Sequence, residues 1–131
     1  MYKVIPDTNF LIYSFKHCIN FEHELRSVLD VNYKLCMLKC VVDELEKLKM
    51  EFKGKEKLSV NLAIKFAKNH EIIEYNTGKY ADDIILNYSK ENKSVIICTN
   101  DKKLKRDVMD HGIPIVLIKQ KTHFEFQGYL I

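Results

Sequence analysis

Four acidic residues stand where an α/β fold can bring them together. Asp7 closes the apolar run Tyr2-Lys3-Val4-Ile5-Pro6 and opens the segment Asp7-Thr8-Asn9-Phe10-Leu11-Ile12. Asp101 closes a second such run, Ser94-Val95-Ile96-Ile97-Cys98-Thr99-Asn100. Glu44 and Asp82 fall early in two predicted helices. In open parallel sheets ligands bind in the crevice beyond the carboxyl ends of the strands, and both helices can face that crevice. Carboxylates crowded into one pocket repel, and each favours protonation over sharing the site. A divalent cation removes that cost, and Mg²⁺ is usually held by carboxylates, water and substrate phosphates. The four acids therefore read first as a metal site for phosphate chemistry.

The elements needed to position them alternate along the chain. Strand patterns cover residues 2–7, 33–38, 72–75, 94–98 and 115–118. Helical patterns cover 10–15, 21–29, 41–52, 58–69, 81–90 and 102–111. In the third helix Val41, Val42, Leu45, Leu48 and Phe52 form one stripe. In the fourth, Leu58, Leu62 and Phe66 recur at i, i+4 and i+8. Lys53-Gly54-Lys55 separates these two helices, and Asn76-Thr77-Gly78 is a turn. Gly112 with Pro114 two residues on is a helix stop. The tail after residue 118 is left unassigned. Strands alternating with helices imply one α/β domain over residues 1–131, with a mainly parallel five-stranded sheet between helical layers.

Helical geometry ranks the carboxylates. At about 100° per residue, Ala81, Ile84, Ile85 and Tyr88 make a stripe that Asp82 flanks, while Asp83 points away. Glu44 likewise flanks the stripe of its helix, with Asp43 and Glu46 further out. A ligand on a packed helix belongs at the border of core and cleft, so Glu44 and Asp82 are selected. Asp83 is the alternate for Asp82.

Composition excludes several classes. The chain has 131 residues, 47% hydrophobic and 30% charged, as expected for one soluble globular domain. No apolar stretch approaches the roughly 18 residues of a membrane span, and no signal-peptide pattern precedes the first strand. A cytoplasmic protein without membrane contact is expected. Cys18, Cys36, Cys40 and Cys98 are too few for a disulfide framework and match no zinc spacing. They read as reduced, mostly buried thiols. The net charge of +3 is modest, but its distribution is uneven. Lys102, Lys103, Lys105 and Arg106 follow Asp101 directly, and Lys49, Lys53, Lys55 and Lys57 cluster mid-chain. Basic residues beside an acidic pocket suit a phosphodiester backbone, although Lys-rich helix faces are commonly just solvated.

The segments Asp7-Thr8-Asn9-Phe10-Leu11, Val42-Asp43-Glu44-Leu45, Tyr80-Ala81-Asp82-Asp83 and Thr99-Asn100-Asp101, in this order and spacing, resemble the motifs of PIN-domain ribonucleases. The resemblance spans essentially the whole chain. Ala-Asp-Asp and Thr-Asn-Asp-Lys-Lys-Leu-Lys-Arg are most similar to the branch of small-subunit ribosomal RNA processing endonucleases and their archaeal relatives. VapC toxins share the acidic set but usually carry a single Asp at the third motif. The resemblance implies a three-layer α/β/α fold and Mg²⁺- or Mn²⁺-dependent hydrolysis of RNA. It implies that Asp7, Glu44, Asp82 and Asp101 are the catalytic and metal-binding acids. A cognate antitoxin or a ribosome-assembly factor would be the partner, and a homodimer is a further expectation.

Around these acids, Thr99 and Asn100 are expected to hold Asp101 by hydroxyl and amide hydrogen bonds, and Asn9 to orient Asp7 or a metal-bound water. Asn100 and Asp101 are also good helix caps. Lys102, Lys103, Lys105 and Arg106 are expected to bind RNA. His17, His23, His70, His111 and His123 are scattered, which disfavours a metal-independent nuclease built on two histidines. Of Tyr13, Phe15, Tyr80, Phe124 and Phe126, only Tyr80 is expected outside the core. The rival readings are a PIN-like module that binds RNA or protein without cutting, and a receiver or dehalogenase-like phosphatase. The phosphatase class needs an Asp at position 9, which is Asn.

Overall fold

The structure, a computed structural model, describes residues 1–130. Its strands are β1 (Tyr2–Pro6), β2 (Tyr33–Leu38), β3 (Glu71–Ile73), β4 (Val95–Cys98), β5 (Ile115–Lys119) and β6 (His123–Gln127). Its helices are α1 (Thr8–Lys16), α2 (Phe21–Val28), α3 (Lys39–Glu51), α4 (Gly54–Lys68), α5 (Ala81–Glu91) and α6 (Lys102–Asp110). One sheet runs in the order β3-β2-β1-β4-β5-β6. The first five strands pair in parallel, and β6 returns antiparallel to β5.

This order reverses direction at β1, whose neighbours are β2 and β4. Right-handed crossovers then place the helices before and after the reversal on opposite faces. Accordingly α1, α3 and α4 pack on one another, and α5 packs on α6. The central strands are buried on both faces and read as continuous apolar runs rather than alternating ones. Val4, Ile5, Ile96, Ile97, Ile115 and Val116 have no solvent exposure. The crevice at such a reversal, beyond the carboxyl ends of β1 and β4, is where α/β sheets bind ligands.

Two expectations need correction. The sheet has six strands, not five, because the tail forms β6. His123-Phe124-Glu125-Phe126-Gln127 alternates in the strand period, but it lies beyond a tight turn. Phe124 enters an aromatic cluster, 5.0 Å from the Phe10 ring and 5.1 Å from Phe21. The Phe124 backbone N–H donates to Glu24 of α2 at 3.1 Å, fixing the tail on the body.

In α4 the inward face is not the stripe through Leu58 and Leu62. These residues are 59% and 41% exposed, and Val60, Ala63, Ile64 and Ala67 are buried instead. The helix starts at Gly54, earlier than the pattern suggested, and it packs closely on both α1 and α3. Small residues at 63 and 67 permit that approach, so side-chain size decided the face more than hydrophobicity did.

Candidate active site

Asp7 leaves the end of β1 and caps α1. Its Oδ1 accepts from the Phe10 N–H at 2.7 Å, and its Oδ2 accepts from the Thr99 hydroxyl. Asp101 leaves the end of β4 and caps α6 in the same way, its Oδ1 accepting from the Leu104 N–H at 2.8 Å. Each cap satisfies a helix N–H that would otherwise lack a partner. Thr99 links the two acids: its hydroxyl donates to Asp7 and accepts from the Asp101 N–H at 3.0 Å. Thr99 is itself fully buried.

Asn100 acts elsewhere than expected. Its side chain donates to the Ile118 carbonyl at 3.0 Å and accepts from the Ile118 N–H at 2.7 Å, tying the strand end to β5. It therefore fixes Asp101 through the backbone and not through the carboxylate. Asn9 is exposed and does not orient Asp7, whose oxygens are already engaged by Phe10 and Thr99.

The other two acids arrive on helices. Glu44 projects from α3 into the same pocket, while Asp43 turns outward to Lys39 at 2.7 Å and Glu46 to Lys68 at 2.8 Å. Asp82 lies in the first turn of α5. Asp83 accepts from the Tyr80 N–H at 3.3 Å and does not line the pocket. The geometry thus brings Asp82, not Asp83, to the other acids. Gly78 sets the entry to this helix. Its φ is +146°, and a Cβ there would stand 2.9 Å from the Ile84 nitrogen. Asn87 of α5 reaches back to the Thr77 carbonyl at 2.8 Å, closing the turn.

Asp7, Thr8, Asn9, Glu44, Ala81, Asp82, Ile85 and Asp101 line one small pocket of about 40 Å³. Asp7 forms its buried floor, 6% exposed, while Glu44, Asp82 and Asp101 form an open rim. Burial pushes the Asp7 carboxyl up to about 6; the Thr99 and Phe10 hydrogen bonds oppose the rise, and Asp82 and Asp101 add to it. Asp82 is raised too, first by lost water on its pocket side, then by Asp101, Glu44 and Asp83, with Lys103 pulling the other way. The Thr8 hydroxyl is buried and has no hydrogen-bond partner.

These features suit a hard cation. The donors are all oxygens, they repel one another without a positive charge, and a buried hydroxyl beside them lacks a partner. Among the described residues, however, no three acidic, Cys or His side chains already close into a coordination sphere. Asp7 and Asp101 are engaged as helix caps, and Glu44 and Asp82 are exposed at the rim. A larger hollow of about 280 Å³ between Tyr2, Ser94, Gly112 and Tyr129 lies by the amino-terminal ends of β1 and β4 and has no carboxylate in its lining.

The family model described as a PIN like domain matches residues 4–121. The chain belongs to that family. Ribonuclease VapC4 of Methanocaldococcus jannaschii is 49% identical over 130 residues, covering 98% of both chains. The rRNA-processing protein fcf1 of Schizosaccharomyces pombe is 31% identical over 121 residues, 89% of this chain and 59% of that protein. The chain thus spans little more than half of fcf1. Among solved structures, the PIN domain endonuclease Utp24 superposes with a TM-score of 0.79 at 28% identity, over 98% of this chain and 93% of that one.

The basic residues after Asp101 sit on the flank of the PIN site. Lys102, Lys103 and Arg106 are exposed, and Lys105 is half-buried. Tyr80, immediately before α5, is 65% exposed, whereas Phe124 is buried and Tyr13, Phe15 and Phe126 pack partly against the core. Sequence reasoning missed two contributors. Thr8 has no signal in the sequence beyond its motif, although the step from strand to helix places position 8 beside the Asp7 cap. Thr99 is legible there only as a partner of Asp101, because the strand pairing that brings it to Asp7 is not visible in one sequence.

Proposed function

We propose that this PIN protein is a divalent-metal-dependent endoribonuclease. The observation that carries the reading is the convergence of Asp7, Glu44, Asp82 and Asp101, from four separate elements, on one pocket at the sheet reversal. Relatives named as a ribonuclease and as an rRNA-processing protein support RNA as the substrate.

Mg²⁺ or Mn²⁺ would be held by these four carboxylates; when bound, it would neutralise phosphate charge and lower the pKa of an attacking water. The chain supplies the rest. Asp7 is fixed by Phe10 and Thr99 and serves as the anchored ligand at the floor. Asp101 is fixed likewise as the cap of α6, while Glu44 and Asp82 reach the pocket from exposed positions on α3 and α5. Lys102, Lys103, Lys105 and Arg106 dock the RNA backbone, beside a helix N-terminus that itself favours phosphate. Water attack forms the new P–O bond as the bond to the 3′ oxygen breaks, leaving a 5′-phosphate and a 3′-hydroxyl.

A VapC-like toxin role is favoured by the full-length 49% identity, and its partner would then be an antitoxin. Ribosomal RNA processing is supported by the likeness to Utp24, with assembly factors as partners. A homodimer suits either role. No helix of the described residues is long and apolar enough to cross a membrane, and the reading places the protein in the cytoplasm. Labelled structured and unpaired RNAs incubated with Mn²⁺, Mg²⁺ or EDTA, followed by end mapping, test the activity. Asp101→Asn should abolish cleavage. Cleavage at the parental rate by that variant, or cleavage in EDTA, overturns the reading and leaves a non-cutting PIN module.

A further inference from the structure

The acidic pocket opens into two neighbouring hollows. One, of about 300 Å³, lies between Phe10, Tyr13, Asn100, Asp101 and Ile118. The other, of about 260 Å³, lies between α1 and the turn from α3 to α4, against Ile12, Tyr13, Lys16, Phe52 and Glu56. Asn9 lines all three cavities, Tyr13 lines both hollows, and Asp101 lines the first hollow and the acidic pocket. These shared residues set the three cavities side by side along α1, as one trough of adjoining hollows.

Size decides what each part can hold. About 40 Å³ admits an ion with a water but no nucleotide. Groups attached to a phosphate at the acids lie outside that pocket, where the two hollows adjoin it. The outer hollow has an apolar floor of Ile12 and Phe52 and the Tyr13 ring, which His17 braces at 4.2 Å. Its rim carries Lys16, Glu56 and the Asn9 amide, which makes no hydrogen bond within the described residues. A flat ring over an apolar floor, with donors and acceptors around it, is the chemistry that receives an unstacked nucleobase. Asn9, Lys16 and Glu56 stand exposed around the hollow and match the polar edge of a base, which an apolar peptide side chain lacks. Lys16 and the exposed Lys53 and Lys55 of the adjoining turn complement the phosphates that accompany a base.

We propose that the outer hollow is a base-reading subsite. It takes one unpaired nucleobase close to the bond cut at the acids, with Tyr13 as stacking platform and Asn9, Lys16 and Glu56 reading the base edge. The position of the cut rests on the nuclease reading; the binding of the base does not.

Two measurements separate these. In the first, the parent protein with Mn²⁺ cuts short RNAs in which each nucleotide in turn is abasic. Loss of one stacked base should lower kcat/KM about fivefold or more at one abasic position near the cut, and less than twofold at remote ones. Tyr13→Ala should cause a similar loss on intact RNA and little further loss on that abasic RNA. In the second, the Asp82→Asn protein in EDTA binds RNA carrying 2-aminopurine at the same position. Its fluorescence should be quenched, with quenching kept in the added Tyr13→Phe variant and lost in Tyr13→Ala. The abasic series needs no substitution in the hollow, so a poorly folded Tyr13→Ala leaves it decisive. Quenching that depends on Tyr13 without any cleavage supports the subsite and removes the nuclease reading. Cleavage indifferent to every abasic position, with quenching independent of Tyr13, overturns the subsite and leaves the trough to a protein partner.

Discussion

Asp7→Asn should stabilise the metal-free protein at neutral pH and not at acid pH. Asp7 is raised from 3.8 to about 6, chiefly by burial. Between those values the folded state holds a proton that the unfolded chain releases, so stability falls as pH rises through this window. Near pH 3 and below, the carboxyl is neutral in both states and costs nothing. Above pH 7 the parent has lost the full difference, about 2.2 pH units or roughly 3 kcal/mol. Asparagine avoids that loss. Its carbonyl can still cap α1 at Phe10, since Asn and Asp are comparable caps. Its amide does not replace the acceptor that the Thr99 hydroxyl meets at Asp7, at a cost of about 1 kcal/mol. The variant should therefore be more stable than the parent by about 2 kcal/mol at pH 7.5, and less stable by about 1 kcal/mol at pH 3. Urea denaturation in EDTA at both pH values measures this. Saturating Mn²⁺ at pH 7.5 should reverse the order, because only the parent gains about 2.7 kcal/mol at a hundredfold excess over Kd. If Asp7→Asn destabilises equally at both pH values, the buried charge is not a source of strain and the electrostatic argument fails.

Three further outcomes are expected. Mn²⁺ should raise the melting temperature of the parent by several degrees and do little for the double variant Asp7→Asn, Asp101→Asn; equal shifts would place the ion elsewhere. Lys103→Ala with Arg106→Ala should weaken RNA binding and flatten its salt dependence while leaving the rate at saturating RNA nearly unchanged; a rate that saturation cannot restore would place these residues in the chemistry. Gly78→Ala should cost about 2 kcal/mol or more, since it is strained at φ +146° and presses on the Ile84 nitrogen. It should also lower cleavage beyond its effect on stability by shifting Asp82; circular dichroism melts beside the cleavage rate separate the two.

The legible part of the site was the part governed by local rules. An acid at the end of an apolar strand run marks the crevice, and a helical stripe tells Glu44 from Asp43 and Asp82 from Asp83. Both distinctions agree with the geometry, where Asp43 pairs with Lys39 and Asp83 with the Tyr80 N–H. What stayed hidden depended on tertiary contact. The bond from Thr99 to Asp7 spans 92 residues of chain. The burial of Ala63 and Ala67 in place of Leu58 and Leu62 depends on how closely three helices approach, which no periodicity encodes. The last strand has a period-two pattern of its own, but its pairing with β5, the Glu24 bond and the Phe10, Phe21 and Phe124 cluster, which make it part of the domain, are tertiary.

Four carboxylates at one pocket still need a reason to fold there without a cation, and the helices supply part of it. Asp7 and Asp101 are the caps of α1 and α6, and Asp82 is in the first turn of α5. Three helix N-termini therefore point their positive ends at the acids, each worth about 0.3–1 kcal/mol to a nearby negative charge. At the exposed rim solvent adds to this, although Asp82 is still raised by lost water on its pocket side and by its neighbours. On the floor the support falls short: burial of Asp7 outweighs its two hydrogen bonds and the α1 terminus and leaves a net cost of about 3 kcal/mol. The imbalance is largest at Asp7 and is shared by Asp82 on the rim. A cation bound there would remove the strain where it is largest and ease the repulsion among the rim acids. Folding thus leaves these carboxylates in need of positive charge, Asp7 most of all, and the same helix ends that ease the repulsion expose N–H groups suited to phosphate.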